Sequence, residues 1–300
     1  MGCFVVLLGA ELDTDLLRDL ERAIDDAGGR IEGLKVLDEQ PAALELRIAG
    51  LDASAVRRVV GDRTREAGVD LCAEDAIADA RPRHGLLLMD VDSTLVAGEV
   101  IDSLAAYAGK GEQVAAVTER AMRGELDFRE SLYARVATLA GLPAEVIDDV
   151  RRSLRLSPGA RTLIATLQSD GAVVGAVSGG FSQILDPLAD EIGLDFAAAN
   201  LLEVTEGRLT GRVVGDVVDR AAKAAHLRRL AEANGLDRAQ TVAVGDGAND
   251  LDMLAAAGVG IAFNAKPVVQ LEAPATLNLP TLEGVLLLLG IPRAAFVEVE

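Results

Sequence analysis

The 300-residue chain is poor in aromatic residues and in cysteine. It has no tryptophan, two tyrosines and two cysteines. Without an aromatic platform on which bases could stack, and with a net charge of −19, the chain is a poor candidate for nucleic-acid binding. Two cysteines form neither a disulfide framework nor a metal cluster. Cys3 and Cys72 each fall in a predicted strand, and we expect them to be inert core thiols.

Long apolar runs are also lacking, although half of the residues are hydrophobic. No run approaches the ~20 residues that a membrane-spanning helix needs. The apolar stretch 3–8 is too short for the core of a secretory signal and has no basic residue before it. These absences predict a cytoplasmic protein that has no membrane partner.

The segment 85–94, GLLLMDVDST, combines an apolar strand with two carboxylates. Its four apolar residues, 86–89, are typical of a strand buried inside a parallel sheet. Asp90 and Asp92 follow at the carboxyl edge, where open α/β sheets bind their ligands. Alone, the pair would be interpreted as a loop that caps a helix. Together with the segments described next, it predicts that Asp90 attacks phosphorus and that Asp92 acts as general acid and base.

A second strand and a rare lysine supply groups suited to phosphate. Residues 172–180 form an apolar run that ends in Ser178 and two glycines, Gly179 and Gly180. A hydroxyl there can donate to a phosphoryl oxygen, and glycines let backbone amides approach it. Only four of the 29 basic residues are lysines. One of them, Lys223, begins a predicted helix, and its ammonium can neutralise a phosphoryl group.

A third strand, in the segment 241–250, ends in further oxygen donors. Asp246 follows the apolar run, and Asn249 and Asp250 enter the next helix. Hard oxygen ligands of this type suit Mg²⁺, which also bridges to substrate phosphate. The Gly-x-Gly in this segment lacks the third glycine of a dinucleotide-binding turn, so that alternative is disfavoured.

The order Asp-x-Asp, Ser, Lys and Gly-Asp-x-x-x-Asp resembles the haloacid dehalogenase superfamily, whose four motifs are all present. Three further segments, DVDSTL with GEV, AMRGELDF and SLYARV, are similar to those of the phosphoserine phosphatase family. The similarity covers roughly residues 83–292. It implies an Mg²⁺-dependent phosphomonoesterase that converts O-phospho-L-serine to L-serine through an aspartyl-phosphate, the last step of serine biosynthesis. It also implies Asp90, Asp92 and Asp246 as metal ligands.

The resemblance further implies how the substrate is held. The carboxylate of Glu99 would bind the substrate's amine, and the guanidinium of Arg135 would bind the substrate's carboxylate through bidentate hydrogen bonds. Met122 and Phe128 would line the apolar side of the pocket. Four residues would contact the phosphate end of the substrate: Ser178, Gly179, Lys223 and Asn249.

The pattern of elements predicts an α/β fold with two domains. After residue 158, alternating helices and strands indicate a doubly wound, mostly parallel sheet of the haloacid dehalogenase type. A helical cap is predicted as an insertion at about residues 99–155, within a phosphatase domain at 79–300. Residues 1–78 predict an α+β unit of order βαββαβ that resembles an ACT domain. That resemblance implies a homodimer and L-serine as an effector, and no catalytic motif lies in this unit.

Several alternatives remain open at this stage. A related phosphatase or phosphotransferase could act on another small phosphate ester, such as phosphohomoserine. A haloacid dehalogenase is disfavoured because its nucleophile needs no acid at the position of Asp92. A non-enzymatic, amino-acid-binding protein with an inactive catalytic domain is disfavoured by the intact motif residues.

Overall fold

Two β-sheets organise the chain, one with four strands and one with seven. The computed structural model describes residues 2–122 and 125–299, apart from the side chains of residues 121 and 122. The fold class predicted from the sequence is confirmed. No helix in the described ranges is both long enough and apolar enough to cross a membrane.

The N-terminal sheet has the predicted βαββαβ order and is antiparallel. Its strand order is β2-β3-β1-β4. Helix α1 begins where the carboxylate of Asp13 accepts a hydrogen bond from the amide of Asp15, and Asp52 caps α2 in the same way. The elements are β1 (Gly2–Gly9), α1 (Thr14–Asp26), β2 (Arg30–Glu39), β3 (Ala42–Ala49), α2 (Ala53–Glu66) and β4 (Asp70–Asp75).

The seven-stranded sheet is parallel except at one edge. Its order is β11-β10-β9-β5-β6-β7-β8, and among the described strands only the β7–β8 hairpin is antiparallel. Its strands are β5 (Leu86–Met89), β6 (Val173–Phe181), β7 (Phe196–Thr205), β8 (Arg208–Val214), β9 (Thr241–Gly245), β10 (Val259–Phe263) and β11 (Ala275–Leu277). Because the chain leaves β5 toward β6 and later returns on the other side as β9, the strand order reverses at β5. A crevice forms at such a reversal.

Helices cover both faces of this sheet. One face packs against α7 (Ala160–Ser169), α8 (Ser182–Ile192) and α12 (Glu283–Leu288). The other packs against α9 (Arg220–Ala233), α10 (Leu251–Ala256) and α11 (Pro267–Glu272). All four residues of β5 are fully buried, as the uninterrupted apolar run predicts.

Four helices form an insertion between β5 and α7. They are α3 (Val100–Tyr107), α4 (Gly111–Met122), α5 (Phe128–Ala137) and α6 (Glu145–Ser153). Helix α5 starts with a capping box in which Asp127 and Glu130 bond each other's backbone amides. The insertion has its own apolar core, which also takes in Phe181 and Ile184 from the end of β6 and from α8. This core anchors the helices over the carboxyl end of the parallel sheet.

The two sheets share a hydrophobic core. Helices α1 and α2 cover one face of the N-terminal sheet, while Val6 and Leu8 on its other face belong to the same buried cluster as Val285 and Leu286 of α12. The buried carboxylate of Asp70 in β4 accepts hydrogen bonds from Thr276 and Asn278 beside β11. The N-terminal unit is therefore fixed to the rest of the chain by both apolar and polar contacts.

Residues 74–84 are polar and include Pro82, a composition that predicts a linker between the two sheets, and the structure differs from this prediction. An exposed turn at 77–80 is closed by hydrogen bonds between Ile77 and Ala80. Glu74, Pro82 and His84 on either side of it are buried, and Arg81 is half-buried. Arg81 bonds Glu74 and the carbonyl of Leu288, and His84 lies 2.7 Å from Glu74. Charged residues that looked like a solvated linker instead pair with one another in the interface.

Candidate active site

The nucleophile predicted from the sequence lies at the end of β5, at the strand-order reversal. Asp90 is 4% exposed, and its amide donates to the carbonyl of Val244 in β9 at 2.8 Å. This bond continues the sheet by one residue and holds the Asp90 carboxylate at the carboxyl edge. Its oxygen Oδ1 accepts a hydrogen bond of 2.6 Å from Nζ of Lys223.

Lys223 is fully buried and links two carboxylates. Its Nζ lies 2.6 Å from Asp90 and 2.7 Å from Asp250. Lys223 sits in the first turn of α9, which Asp219 caps. Burial alone would lower the pKa of Lys223, but the two carboxylates raise it above its ordinary value. The lysine is therefore a permanent cation at the floor of the site.

Asp92 lies beside Asp90 but has different partners. Its Oδ1 accepts from the amide of Val100 at 2.7 Å, and its Oδ2 accepts from the hydroxyl of Ser178 at 3.0 Å. The Ser178 hydroxyl also accepts from the amide of Gly180 at 2.7 Å. Burial raises the pKa of Asp92, which favours the protonated form that a general acid needs.

Three carboxylates form a group that could hold a cation. Oxygen atoms of Asp90, Asp246 and Asp250 all lie within 4.8 Å of one another. Among the described residues this is the one group of this kind, and Asp92 is not a member of it. Burial raises the pKa of Asp90 well above its ordinary value, and the charge of Asp250 raises it further. Burial and Asp250 likewise raise the pKa of Asp246 to about 6. The negative charge here exceeds what Lys223 can balance, so the donor set fits a hard divalent cation.

The same cavity carries one further carboxylate and one guanidinium, those of Glu99 and Arg135. Glu99 precedes α3 and lies at the mouth, where loss of surrounding water, followed by the charges of Asp92 and Asp246, raises its pKa to about 7. Arg135 lies in α5 of the insertion, half-buried, and its Nε is 3.4 Å from the carbonyl of Ser131. The structure brings both residues to the cavity that contains Asp90.

The cavity that these residues line has a volume of about 340 Å³, which suits a small metabolite. Phe128 and Leu132 form its apolar wall, and Gly179 and Asn249 line its polar side. A methyl group on Gly179 would lie 3.0 Å from the Phe128 ring, so glycine permits this close approach of strand and insertion. Met122, predicted to share the apolar wall, lies outside the described side chains.

The structure adds contacts that were not predicted from the sequence. Asp250 belongs to the cation group and pairs with Lys223, and Thr94 donates to Asp246 at 3.2 Å. Lys266 lines the cavity near Asn249. The spacing Gly-Asp-x-x-x-Asp indicates that Asp250 can be an oxygen ligand for a cation. Its contact with Lys223 joins residues that are 27 positions apart, so no local sequence pattern predicts it.

Comparisons with known proteins agree with this geometry. The model of the haloacid dehalogenase-like hydrolase family matches residues 87–255. A phosphoserine phosphatase of Streptomyces coelicolor is 51% identical over 290 residues, which cover 96% of this chain and 70% of that protein.

Two solved structures extend the similarity. A probable phosphoserine phosphatase from Vibrio cholerae, 36% identical, aligns over 98% of this chain and 88% of that one with a TM-score of 0.72. A substrate-bound phosphoserine phosphatase, 41% identical, aligns over 68% of this chain and 97% of that one with a TM-score of 0.64.

The parallel sheet, the strand-order reversal and the buried Asp90–Lys223 pair define a hydrolase of the haloacid dehalogenase type. Within that superfamily, the chain belongs to the phosphoserine phosphatase family.

Proposed function

We propose that the protein hydrolyses O-phospho-L-serine to L-serine and phosphate through an aspartyl-phosphate on Asp90. The observation that carries this proposal is the arrangement of charge in one small cavity. Asp90, Glu99 and Arg135 line this cavity, and Lys223 is buried directly behind Asp90. Phosphoserine carries a phosphate, an ammonium and a carboxylate on three carbons, and each group has an oppositely charged partner in the cavity or directly behind its wall.

In the first step, an oxygen of Asp90 attacks phosphorus and the bond to the serine oxygen breaks. The proton on Asp92 passes to that leaving oxygen. In the second step, Asp92 takes a proton from water, the resulting hydroxide attacks phosphorus, and the bond to Asp90 breaks to release phosphate. Ser178 and Lys223 would hold the phosphoryl oxygens, and Gly179 would offer its backbone.

The cation group supports Mg²⁺ as the cofactor. Asp90, Asp246 and Asp250 would supply its carboxylate ligands, while both oxygens of Asp92 are engaged by Val100 and Ser178. A bound divalent cation would neutralise the clustered carboxylates and polarise the phosphoryl oxygens. Asp92, also predicted as a ligand, already accepts one hydrogen bond on each side-chain oxygen, and we propose that it would contribute through its backbone carbonyl.

The decisive experiment measures phosphate release from a panel of substrates with and without Mg²⁺. The panel contains O-phospho-L-serine, O-phospho-L-homoserine, other phospho-amino acids and sugar phosphates. We expect the highest kcat/KM for phosphoserine and little turnover in a chelator. A higher kcat/KM for phosphohomoserine or a sugar phosphate would replace the substrate assignment without altering the chemistry.

Recognition of the substrate's carboxylate is tested by Arg135→Ala. We expect KM for phosphoserine to rise by about 10–100-fold because a charge-assisted, bidentate hydrogen-bonded contact is lost. Hydrolysis of p-nitrophenyl phosphate, which has no carboxylate, should change little. Arg152→Ala in α6 is the matched control, since Arg152 is exposed and, among the residues that the structure describes, pairs with Asp149 alone. Equal losses on both substrates would instead assign Arg135 to the folding of the insertion.

The N-terminal unit, residues 1–78, is proposed to be an ACT-like regulatory domain attached to a phosphatase domain at 79–300, with a cap at about 99–155. The βαββαβ order and the antiparallel sheet support this division. We propose L-serine as its effector and a homodimer as the assembly. Light scattering tests the assembly. Serine inhibition that is purely competitive with phosphoserine would mean product inhibition at the active site and would remove the effector.

A further inference from the structure

A second cleft, larger than the active-site cavity, lies between the N-terminal unit and the parallel sheet. Its volume is about 610 Å³. One wall is helix α2, and the other is the segment from the end of α11 through β11. The Asp70 contacts with Thr276 and Asn278 hold the two walls together. The cleft is therefore a built feature of the interface between the two sheets.

The α2 wall of the cleft is basic. Arg57, Arg58 and Arg65 line it, and among the described residues that surround the cleft Glu272 is the one acidic side chain. Arg65 pairs with Asp62. Arg57 and Arg58 have only neutral partners within the described chain.

Arg57 donates to the carbonyl of Ala73 at 2.8 Å, and Arg58 donates to the hydroxyl of Ser54 at 2.7 Å. In a chain with net charge −19, a cleft wall that carries three arginines is a local concentration of positive charge. Arg57 and Arg58 each keep N–H donors available for an oxoanion, which a guanidinium binds through two parallel hydrogen bonds.

Helix α11 connects this cleft to the active site. It has six residues, and together with Lys266 just before it, its Val268 and Val269 line the active-site cavity. The following Gln270, Leu271 and Glu272 line the second cleft. Because consecutive residues of one short helix line both cavities, we expect a ligand that shifts one end of α11 to change the wall of the active site at the other end.

We propose that the cleft between α2 and α11 is an effector site for a small oxoanion, a carboxylate or a phosphate, held by Arg57 and Arg58. Binding there would act on catalysis through α11. The site is distinct from the active-site cavity, and its occupancy does not depend on which phosphate ester the enzyme hydrolyses.

Binding is tested by thermal unfolding of the full chain freed of divalent cations on a chelating resin. The probes are inorganic phosphate and succinate, each titrated separately, so that the two chemistries are distinguished. We expect a saturable rise in Tm of about 3 °C with at least one probe. Arg58→Gln should abolish that rise, because it removes one of the two guanidinium groups that hold the oxoanion. The variant should still fold, since Arg58 is exposed and, among the described residues, bonds Ser54 alone. Arg63→Gln is the matched control, since Arg63 lies on the same helix and pairs with Asp19 outside the cleft.

No saturable rise with either probe, or a rise that survives in Arg58→Gln, would overturn the site. The second result would mean that the ion binds elsewhere, for example beside Lys223. Coupling is tested by measuring kcat/KM of the Mg²⁺-loaded enzyme with and without succinate, which is not a product. We expect a change of about threefold in the wild type and in Arg63→Gln, and none in Arg58→Gln. Binding without any change in kcat/KM would overturn the role as an effector.

Discussion

At the scale of single residues, the active site contains more buried negative charge than the buried Lys223 balances. Asp90, Asp250 and Lys223 are buried together, with Asp246 beside them. Excess charge of this kind costs stability and persists where function requires it. The protein tolerates it because Lys223 bonds two of the carboxylates, and a bound cation would balance the rest.

Replacing the nucleophile should remove activity without unfolding the protein. In Asp90→Asn the amide cannot attack phosphorus, and we expect kcat to fall on the order of 10⁴-fold or more. Asp92→Asn should lose about 10²–10⁴-fold, the contribution of a general acid. Tm of the metal-free Asp90→Asn protein should not fall, because one of the repelling charges is gone. Near-normal turnover by Asp90→Asn would exclude the aspartyl-phosphate route.

The raised pKa of Glu99 predicts a pH-dependent KM. With a pKa of about 7, Glu99 is mostly neutral at pH 6 and mostly ionised at pH 8, and only the ionised form attracts the substrate's ammonium. KM for phosphoserine should therefore fall about tenfold between pH 6 and pH 8. The same series with p-nitrophenyl phosphate corrects for ionisation of the phosphate. Glu99→Gln should flatten the corrected profile, and an unchanged profile would assign the titration to another group.

At the scale of elements, two glycine-containing strand ends set the distances between catalytic groups. The turn from β9 to α10 packs the Asp250 side chain against Gly245, where an added Cβ would lie 2.5 Å from the Asp250 carboxyl carbon. At the end of β6, a Cβ on Gly180 would lie 3.1 Å from Oδ2 of Asp92. Neither glycine has a positive φ, so the requirement is for space and not for backbone freedom.

A methyl group in the β9–α10 turn should disturb the site and leave the fold intact. In Gly245→Ala the Asp250 carboxylate has to move away from Lys223 and the cation group. We expect the Mg²⁺ concentration that gives half-maximal activity to rise about 10–100-fold, as when other supporting residues of metal sites are changed. Gly111→Ala at the start of α4 is the control, because no atom lies within 4 Å of its added Cβ. Equal Mg²⁺ dependence in both variants would contradict the positioning role of Asp250.

The sequence predicted the elements better than it predicted their contacts. The apolar runs before Asp90, Ser178 and Asp246 placed three strands correctly, because a strand buried on both faces leaves an unbroken hydrophobic signal. The pairing of Lys223 with Asp250 could not be predicted, since it depends on how α9 and α10 pack. Periodicity also cannot show which partner covers the second face of a sheet, so the burial of Glu74, Pro82 and His84 was missed.

At the scale of the whole molecule, the core shared by the two sheets ties the stability of the catalytic region to the N-terminal unit. Leu8→Ala should lower the free energy of unfolding by about 2–5 kcal/mol, since Leu8 is fully buried. Calorimetry should show one transition, and the temperature of half-inactivation should fall with it. Leu34→Ala is the control because Leu34 is 60% exposed. Two separate transitions in Leu8→Ala would contradict this prediction if activity were lost only in the transition whose temperature the substitution leaves unchanged. That result would show that the two units unfold independently.

Deletion of residues 1–80 should lower the stability of the protein, although no catalytic motif lies in that segment. All predicted catalytic residues would remain, but the buried face of α12, with Val285 and Leu286, would lose its cover. We expect the truncated protein to turn over substrate when freshly prepared and to aggregate within hours, as measured by light scattering alongside activity. A truncated protein as soluble and stable as the full chain would show that the shared core contributes little.

The shared core determines what happens when a protease cuts the exposed turn at 77–80. A protease can reach the turn, since Ile77 is 51% exposed, yet the segments on either side are embedded by Glu74, Arg81 and His84. Cutting one peptide bond there removes the covalent connection and none of the packing. The nicked enzyme should elute as a single active species and separate into two fragments only in denaturant. The two parts of this chain would thus behave as subunits of a heterodimer that happens to be synthesised as one polypeptide.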